Sequence, residues 1–569
     1  MQIKRYYTDD LKNQRFDVII VGSGISSLST AAFLVREGKK VLVIEKHNII
    51  GGYAHTFQRR AGDQKFEWDI GLHYVGMGNE DNAGARRVMD YLTDREIQWT
   101  DMGQVYDVAI IAGDRYEFVA GRDNQISNLI RYFPDEEKAI RAYYDLVEKC
   151  GTWSVMYFAE KTMPTLMSKT VGHFLRKDFN KQSRRTTYDV LRDLTQNEKL
   201  ISVLTAQCGN YGLPPRRSSF VAQAIITDHY LVGGCYPVGG SSAIVEAMVQ
   251  QIERAGSRVI ANCGVSHVIV EKNRAIGVAL DNGEDLYANI IVSGVGARIT
   301  FNKLVPLLSE NKKLNTLRQK LDKIKASTAH IGLSVGLSGS TEELGLPRHN
   351  VWEYDSYDID GTFDSFTKGE SDLPPMRYYS FPSAKDSAWR SAHPGTSSVQ
   401  IIMLCDYEHF RKWEHTKWQQ RGAEYEQYKE ELAQKLLKKL YKLYPKTEGR
   451  VIISDLSTPL SSKHFNHNPT GEIYGLAHTP ERFDLRELRI STPIENLLLT
   501  GQDTMCVGIG AAVAAGMLTA SLIAKKNLLN TVQEHMKQSC TTLSKSPALR
   551  LSEALIKIRK KFPHSDVVY

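Results

Sequence analysis

Phe16-Asp17-Val18-Ile19-Ile20-Val21-Gly22-Ser23-Gly24-Ile25-Ser26-Ser27 opens the first organised segment of the chain, and Val41-Leu42-Val43-Ile44-Glu45 closes it. The apolar run before Gly22 reads as a strand covered on both faces. Gly22 allows a tight turn, and Gly24 lets a ligand approach the backbone. The helix-like stretch 26–37 then presents free N–H groups and a positive dipole end to a pyrophosphate. Glu45 follows Gly24 by 21 residues and ends the second strand, where a carboxylate can accept from a ribose. The spacing predicts a dinucleotide site at Gly22, Ser23, Gly24, Ser26, Ser27 and Glu45.

Ser27 departs from the usual pattern, which has a third glycine for close helix–strand packing. Its hydroxyl is expected to bond a backbone carbonyl one turn back, with a small packing adjustment.

The rest of the composition narrows the alternatives. The net charge of +7, from 72 basic and 65 acidic residues, is mild for 569 residues. No arginine-rich, aromatic-interleaved patch suggests nucleic acid. The seven cysteines include no CxxC pair, so neither a metal site nor a redox motif is expected, and a reducing compartment suits them. Met1 to Tyr7 lacks the apolar core of a signal peptide. The apolar stretch 511–524 is too short to span a membrane and reads as a buried helix. The expected location is cytoplasmic or peripheral to a membrane, on its cytosolic side.

A second block spans 239–296. It reads as a helix at 241–255, strands at 258–260 and 290–292, and a hairpin with Val265–Val270 and Ala275–Leu280 as its arms. Strands are expected near 331–335, 378–381 and 399–404, and an amphipathic helix at 424–443 places Leu432, Leu436, Leu440 and Leu443 on one stripe. The Met- and Phe-rich stretch 153–175 reads as core, or as the wall of a pocket.

Near the far end, the strand Asn496-Leu497-Leu498-Leu499-Thr500 runs into Gly501-Gln502-Asp503, and Gly508-Ile509-Gly510 opens another helix. A nicotinamide dehydrogenase needs one such turn; FAD makes use of two. Asp503 can accept from ribityl hydroxyls, and the helix after Gly508 can stabilise negative charge on reduced flavin. Removing the Asp503 carboxylate is thus expected to weaken flavin retention without unfolding the chain. Lys46, the Gly51-Gly52 pair, Val265 and Gly294 complete the expected cofactor contacts. NAD(P)H is a possible electron donor.

Three segments carry a family resemblance. Phe16 to Gly76, ending in Trp68-Asp69-Ile70-Gly71-Leu72-His73-Tyr74-Val75-Gly76, resembles the flavin domain of the phytoene desaturase, carotenoid isomerase and retinol saturase superfamily. Its aspartate, glycine and His-Tyr pair look most like the retinol saturase (all-trans-retinol 13,14-reductase) branch. His229-Tyr230 with Gly233-Gly234-Cys235-Tyr236-Pro237-Val238-Gly239-Gly240 is similar to a second segment of these enzymes, and Leu499 to Asp503 to a third.

The resemblance implies an α/β fold: a Rossmann-type, glutathione-reductase-like FAD domain assembled from discontinuous segments, plus an α+β substrate domain. The expected FAD-domain segments are 1–90, 221–300 and 451–535. The substrate-domain segments are 91–220 and 301–450, and 536–569 forms a basic amphipathic tail. Within that tail, 546–561 alternates Leu and Ile with Lys and Arg, as a membrane-surface helix or a solvated helix would.

The implied reaction is saturation of a C=C bond in an apolar polyene: a retinoid, a carotenoid or a polyunsaturated acyl chain. Flavin supplies the hydride, and the protein supplies a proton. The candidate proton donors are His73, Tyr74, His229 and Tyr230, with His478 a further pocket candidate. Cys506 reads as a packing residue. A cis–trans isomerase or desaturase on the same scaffold, and a flavin-fold protein that only binds lipid, remain alternatives.

Overall fold

The computed structural model describes residues 7–77, 84–374 and 376–539. The proposed tail helix at 546–561 and Cys540 lie outside the described residues.

The opening segment folds as β1 (Phe16–Val21), α1 (Ile25–Arg36) and β2 (Val41–Ile44). β1 lies between β2 and the strand Asp285–Ser293, parallel to both, with Val18 opposite Val41 and Ile290. Arg258–Ile260 adds beyond β2, and Leu497–Leu499 runs parallel to Asp285–Ser293. One parallel sheet is therefore built from distant parts of the chain. The hairpin of Val265–Glu271 and Arg274–Leu280 joins the sheet antiparallel, through pairing of Gly277–Ala279 with Asp285–Tyr287. The near-continuous apolar sequence of β1 and β2 follows from this central position, because both faces are buried: one against α1 and the helix Ser241–Arg254, the other in a cluster with the hairpin and residues 301–321.

The second sheet has the order Val451–Ser457, Ala329–Ser338, Thr396–Cys405, Met376–Ser380, Asn350–Tyr354, Val105–Ile111, Asp114–Val119. It is antiparallel except where Asn350–Tyr354 runs parallel to Val105–Ile111. Alternation divides its two faces. Ile331, Leu333, Val335 and Leu337 share a core with Leu432, Leu436 and Leu440 of the helix Ala423–Leu443. Trp352, Tyr378 and Leu404 face the other way, into a core shared with the helices Glu137–Glu160 and Phe220–Tyr230. The stretch 153–175 supplies core and one small satellite cluster around Met163. Val451–Ser457 is an edge strand here, so the boundary expected at 450 is misplaced: hydrogen bonding to Ala329–Ser338 draws these residues into the second sheet.

Ser27 corrects a further expectation. Its Oγ is buried and bonds no carbonyl among the described residues; Thr30 Oγ1 is the hydroxyl that bonds back, to Ser26 O at 2.8 Å. Ser27 instead fills the space above Gly294, where an added Cβ would lie 2.0 Å from Ser27 Oγ. The glycine missing from the helix is thus matched by a glycine on the facing strand. Gly294→Ala should therefore destabilise the protein by about 1–3 kcal/mol, and Ser27→Ala in the same chain should recover most of that loss. Thermal unfolding of the two single variants and the double variant measures the coupling, and additive losses would contradict it.

Candidate active site

One cavity of about 970 Å³ joins the two sheets. Gly22, Ser23, Gly24, Ser26, Glu45, Lys46, Gly51, Gly52, Val265, Gly294, Gly501, Asp503 and Gly508 all line it. So do His73, Tyr74, His229 and Tyr230. Ser27 does not line it, because its side chain points to Gly294. His478 does not either: its Nε2 accepts from Val507 N at 3.1 Å, which turns the ring into the protein.

The end nearest β1 suits a dinucleotide. Gly22 has φ +88°, and an added Cβ would lie 2.7 Å from the Val295 side chain, so both conformation and space select glycine. Gly24 and Gly508 precede α1 and the helix Ile509–Ala524, and neither helix has a side-chain cap. Both N-termini therefore open onto the cavity with uncapped N–H groups, a donor set that suits phosphate and the anionic edge of a flavin. Glu45 is held in place: Oε2 accepts from Ser23 N at 2.8 Å and Ser23 Oγ at 2.7 Å, and Oε1 from His47 N at 2.8 Å. Lys46 pairs with Asp281 at 3.2 Å.

Asp503 has a larger structural part than expected. Its Oδ2 accepts from Ala297 N at 2.8 Å and its Oδ1 from Leu476 N at 2.9 Å. The carboxylate thus ties three segments together beneath the cofactor end. The buried Arg482 bonds the carbonyls of Leu476, Gln502 and Met505 around it, and Lys161 Nζ donates to Thr504 O at 2.9 Å. Burial pushes the Lys161 ammonium down to about 7. Cys506 is buried and its thiol pKa is raised by desolvation, in keeping with packing.

At the other end, the two His-Tyr segments are bound to each other. Val75 and Gly76 pair antiparallel with Cys235 and Gly234. Asp69 accepts from Ser241 N at 2.8 Å and from the Tyr236 hydroxyl. His229 Nε2 accepts from Gly76 N at 2.9 Å, and desolvation pushes its pKa down to about 4, so the neutral ring carries its proton on Nδ1. Tyr74 and Tyr230 stack at 4.2 Å and 13°. The Tyr74 hydroxyl donates to Asp107 at 2.7 Å and accepts from Asn210 at 3.1 Å.

Asp107 also accepts from Gln207, Asn350 and Trp352, yet burial still pushes its carboxyl up to about 6. Desolvation, then Lys385 and His330, push His73 down to about 3, so it cannot act as an imidazolium acid near neutrality. Asp107, Asn210, His330, Trp352, Tyr378 and Lys385 were missed in the sequence, since each sits in an ordinary strand, turn or short helix with no motif around it. Alternation in the observed strands puts Trp352 and Tyr378 on one sheet face, but the sequence alone marks neither that strand pair nor the cavity the face borders.

The sequence pattern of flavin-containing amine oxidoreductases matches residues 25–524. The chain belongs to this family. FAD is its cofactor, and the enzyme is an FAD-dependent oxidoreductase. Over 535 residues, 90% of this chain and 86% of the relative, it is 32% identical to an all-trans-retinol 13,14-reductase of Danio rerio. A second Danio rerio relative, described as an inactive all-trans-retinol 13,14-reductase, is 30% identical over 92% of this chain and 88% of its own length. Among solved structures, cyclohexylamine oxidase from Brevibacterium oxydans shares the fold with a TM-score of 0.56 at 16% identity, covering 90% of this chain and 99% of that one. Among the described residues no His, Cys, Asp and Glu group could hold a metal ion, and no single described helix is long and apolar enough to cross a membrane.

Glu45→Ala should lower FAD retention, read as the 450-to-280 nm absorbance ratio of purified protein, and should cost about 1–3 kcal/mol of stability because Ser23 N and His47 N lose their acceptor. Full occupancy would contradict its role. Asp503→Ala should cost about 2–5 kcal/mol of folding stability, because it strands two buried N–H groups. An unchanged melting temperature would contradict the bracing role.

Proposed function

We propose that the protein saturates a C=C bond of an apolar polyene, with retinoids as its substrates. The observation that carries this reading is the continuity of the cavity. One end is a dinucleotide site. The other is a chamber walled by Tyr74, Tyr230, Trp352, Met376, Ile402 and Leu404. Flat aromatic and aliphatic walls suit a rigid conjugated chain, and a charged or strongly polar substrate would find few partners along them. The likeness to an all-trans-retinol 13,14-reductase supports the substrate class.

Bound FAD supplies two-electron hydride chemistry. The chain must hold the polyene and supply one proton. The Tyr74 hydroxyl donates a hydrogen bond to Asp107, which fixes the ring and the Tyr230 ring stacked on it. Burial raises the Tyr230 pKa and keeps the phenol protonated. A carbon with carbanion character is more basic than a phenolate, so neutral Tyr230 is a competent donor. His229 anchors Gly76 and thereby the loop that carries Tyr74. His73 has no part as an acid in this reading.

Anaerobic incubation of the reduced, flavin-loaded protein with all-trans-retinol should give a product two hydrogens heavier by mass spectrometry. Tyr230→Phe should slow turnover by on the order of 100-fold with flavin content unchanged. An unchanged mass with a new isomer would mean isomerisation. Desaturation needs oxidised flavin as the hydride acceptor, so it would show as a loss of two hydrogens in a parallel incubation with the oxidised protein. No product from flavin-loaded protein would favour a binding role.

A further inference from the structure

The polar groups of the chamber gather at one place. His330, on the strand Ala329–Ser338, pairs in register with Leu404, and Tyr378 pairs with Ile402. All four residues line the cavity on one face of the sheet. Gly332, two residues from His330, has no side chain of its own: an added Cβ would sit 3.0 Å from Ser457 Oγ, 3.6 Å from His330 Cδ2 and 3.8 Å from its Nε2, so the imidazole lies along the sheet surface. His73 reaches the same region from the opposite side, its ring centroid 5.5 Å from that of Tyr378.

Three buried polar atoms here lack a hydrogen-bond partner among the described residues: His73 Nδ1, His330 Nδ1 and Tyr378 Oη. Buried polar groups in folded proteins are nearly always paired, so three orphans on one cavity wall point to a ligand group. Their position is also braced. Lys385 Nζ donates to His73 O at 2.6 Å, to Asn350 Oδ1 at 2.8 Å and to Ser380 Oγ at 2.6 Å. It thereby locks the His73 backbone to the strand that carries Tyr378. The ammonium has three N–H groups and three oxygen acceptors, so it serves as a brace with no donor left for a ligand.

Desolvation pushes His73 to about 3 and His330 to about 4, so both rings are neutral. A neutral imidazole has one donor and one acceptor nitrogen. A pair of them, with a phenol alongside, matches a group that both donates and accepts. An alcohol does so. A hydrocarbon terminus does neither, and a carboxylate would meet no cation free to pair with it among these three side chains.

We propose that His73 and His330, with Tyr378, form a subsite for the terminal hydroxyl of the polyene. This inference rests on the reading of the chamber as a polyene site, and it makes the alcohol end group, rather than the chain, the feature that sets orientation. A site built to bond a hydroxyl discriminates strongly against an analogue that lacks it, because its own polar groups are then left unpaired.

The test is binding to the flavin-loaded full chain, read by quenching of tryptophan fluorescence, with Trp352 on the cavity wall. The probes are all-trans-retinol and the hydrocarbon in which CH3 replaces CH2OH. The alcohol should bind about tenfold or more tightly than the hydrocarbon. His330→Leu and His73→Leu should each erase most of that difference while leaving hydrocarbon affinity in place. Equal binding of both probes by the unaltered protein would overturn the subsite, whether or not either variant folds. The reductase reading is decided separately, by product mass. Alcohol-selective binding without reduction would leave the subsite standing and remove the reductase reading. Reduction of both probes with equal affinity would do the reverse.

Discussion

The contact between α1 and the helix Ile509–Ala524 is the constraint on which the site depends. The two helices approach so closely that an added Cβ at Gly516 would lie 2.5 Å from Ser29 Cβ and 2.6 Å from Ser26 O. Thr30 Oγ1 reaches Gly516 O at 3.4 Å and Thr500 Oγ1 at 3.5 Å across the same seam. Small side chains on both helices make this possible, and packing at this range is sensitive to a single methyl group. The seam brings Gly501 against Ser26 and sets two uncapped helix N-termini on one cavity. Neither end of the chain makes the cofactor site alone.

From that seam the rest of the architecture follows as support. Asp503 takes N–H groups from two segments that the parallel sheet has already brought near. The loop of Trp68 to Gly76 crosses from the cofactor end to the second sheet, held by Asp69 at one end and by His229 at the other. The second sheet turns one face to the helix Ala423–Leu443 and leaves the other to the chamber. Its edge is completed by Val451–Ser457, which arrives just before the chain returns to the first sheet.

Much of the cofactor end was legible because it depends on local patterns. A buried parallel strand reads as an apolar run, a tight turn as glycine, and Glu45 as an acid at a strand end, where it does line the cavity. The spacing around Gly22 and Glu45, and again around Gly501 and Gly508, carried this information. Ser27 was misread because its partner, Gly294, lies 267 residues away, and only the folded chain shows which neighbour receives a hydroxyl. The chamber was less legible for the same reason. Asp107 draws its donors from Tyr74, Gln207, Asn350 and Trp352, which no window of sequence unites. Nor could the sequence show that His73 is buried and neutral, since its pKa is set mainly by desolvation in the assembled cavity.

The central claim is that one cavity places a polyene against the flavin for reduction. Anaerobic stopped-flow measurement of flavin reoxidation tests it most directly. Mixing the chemically reduced enzyme with all-trans-retinol should restore the 450 nm band of oxidised flavin, at the rate at which saturated product appears. A flavin that stays reduced while retinol is bound would contradict it.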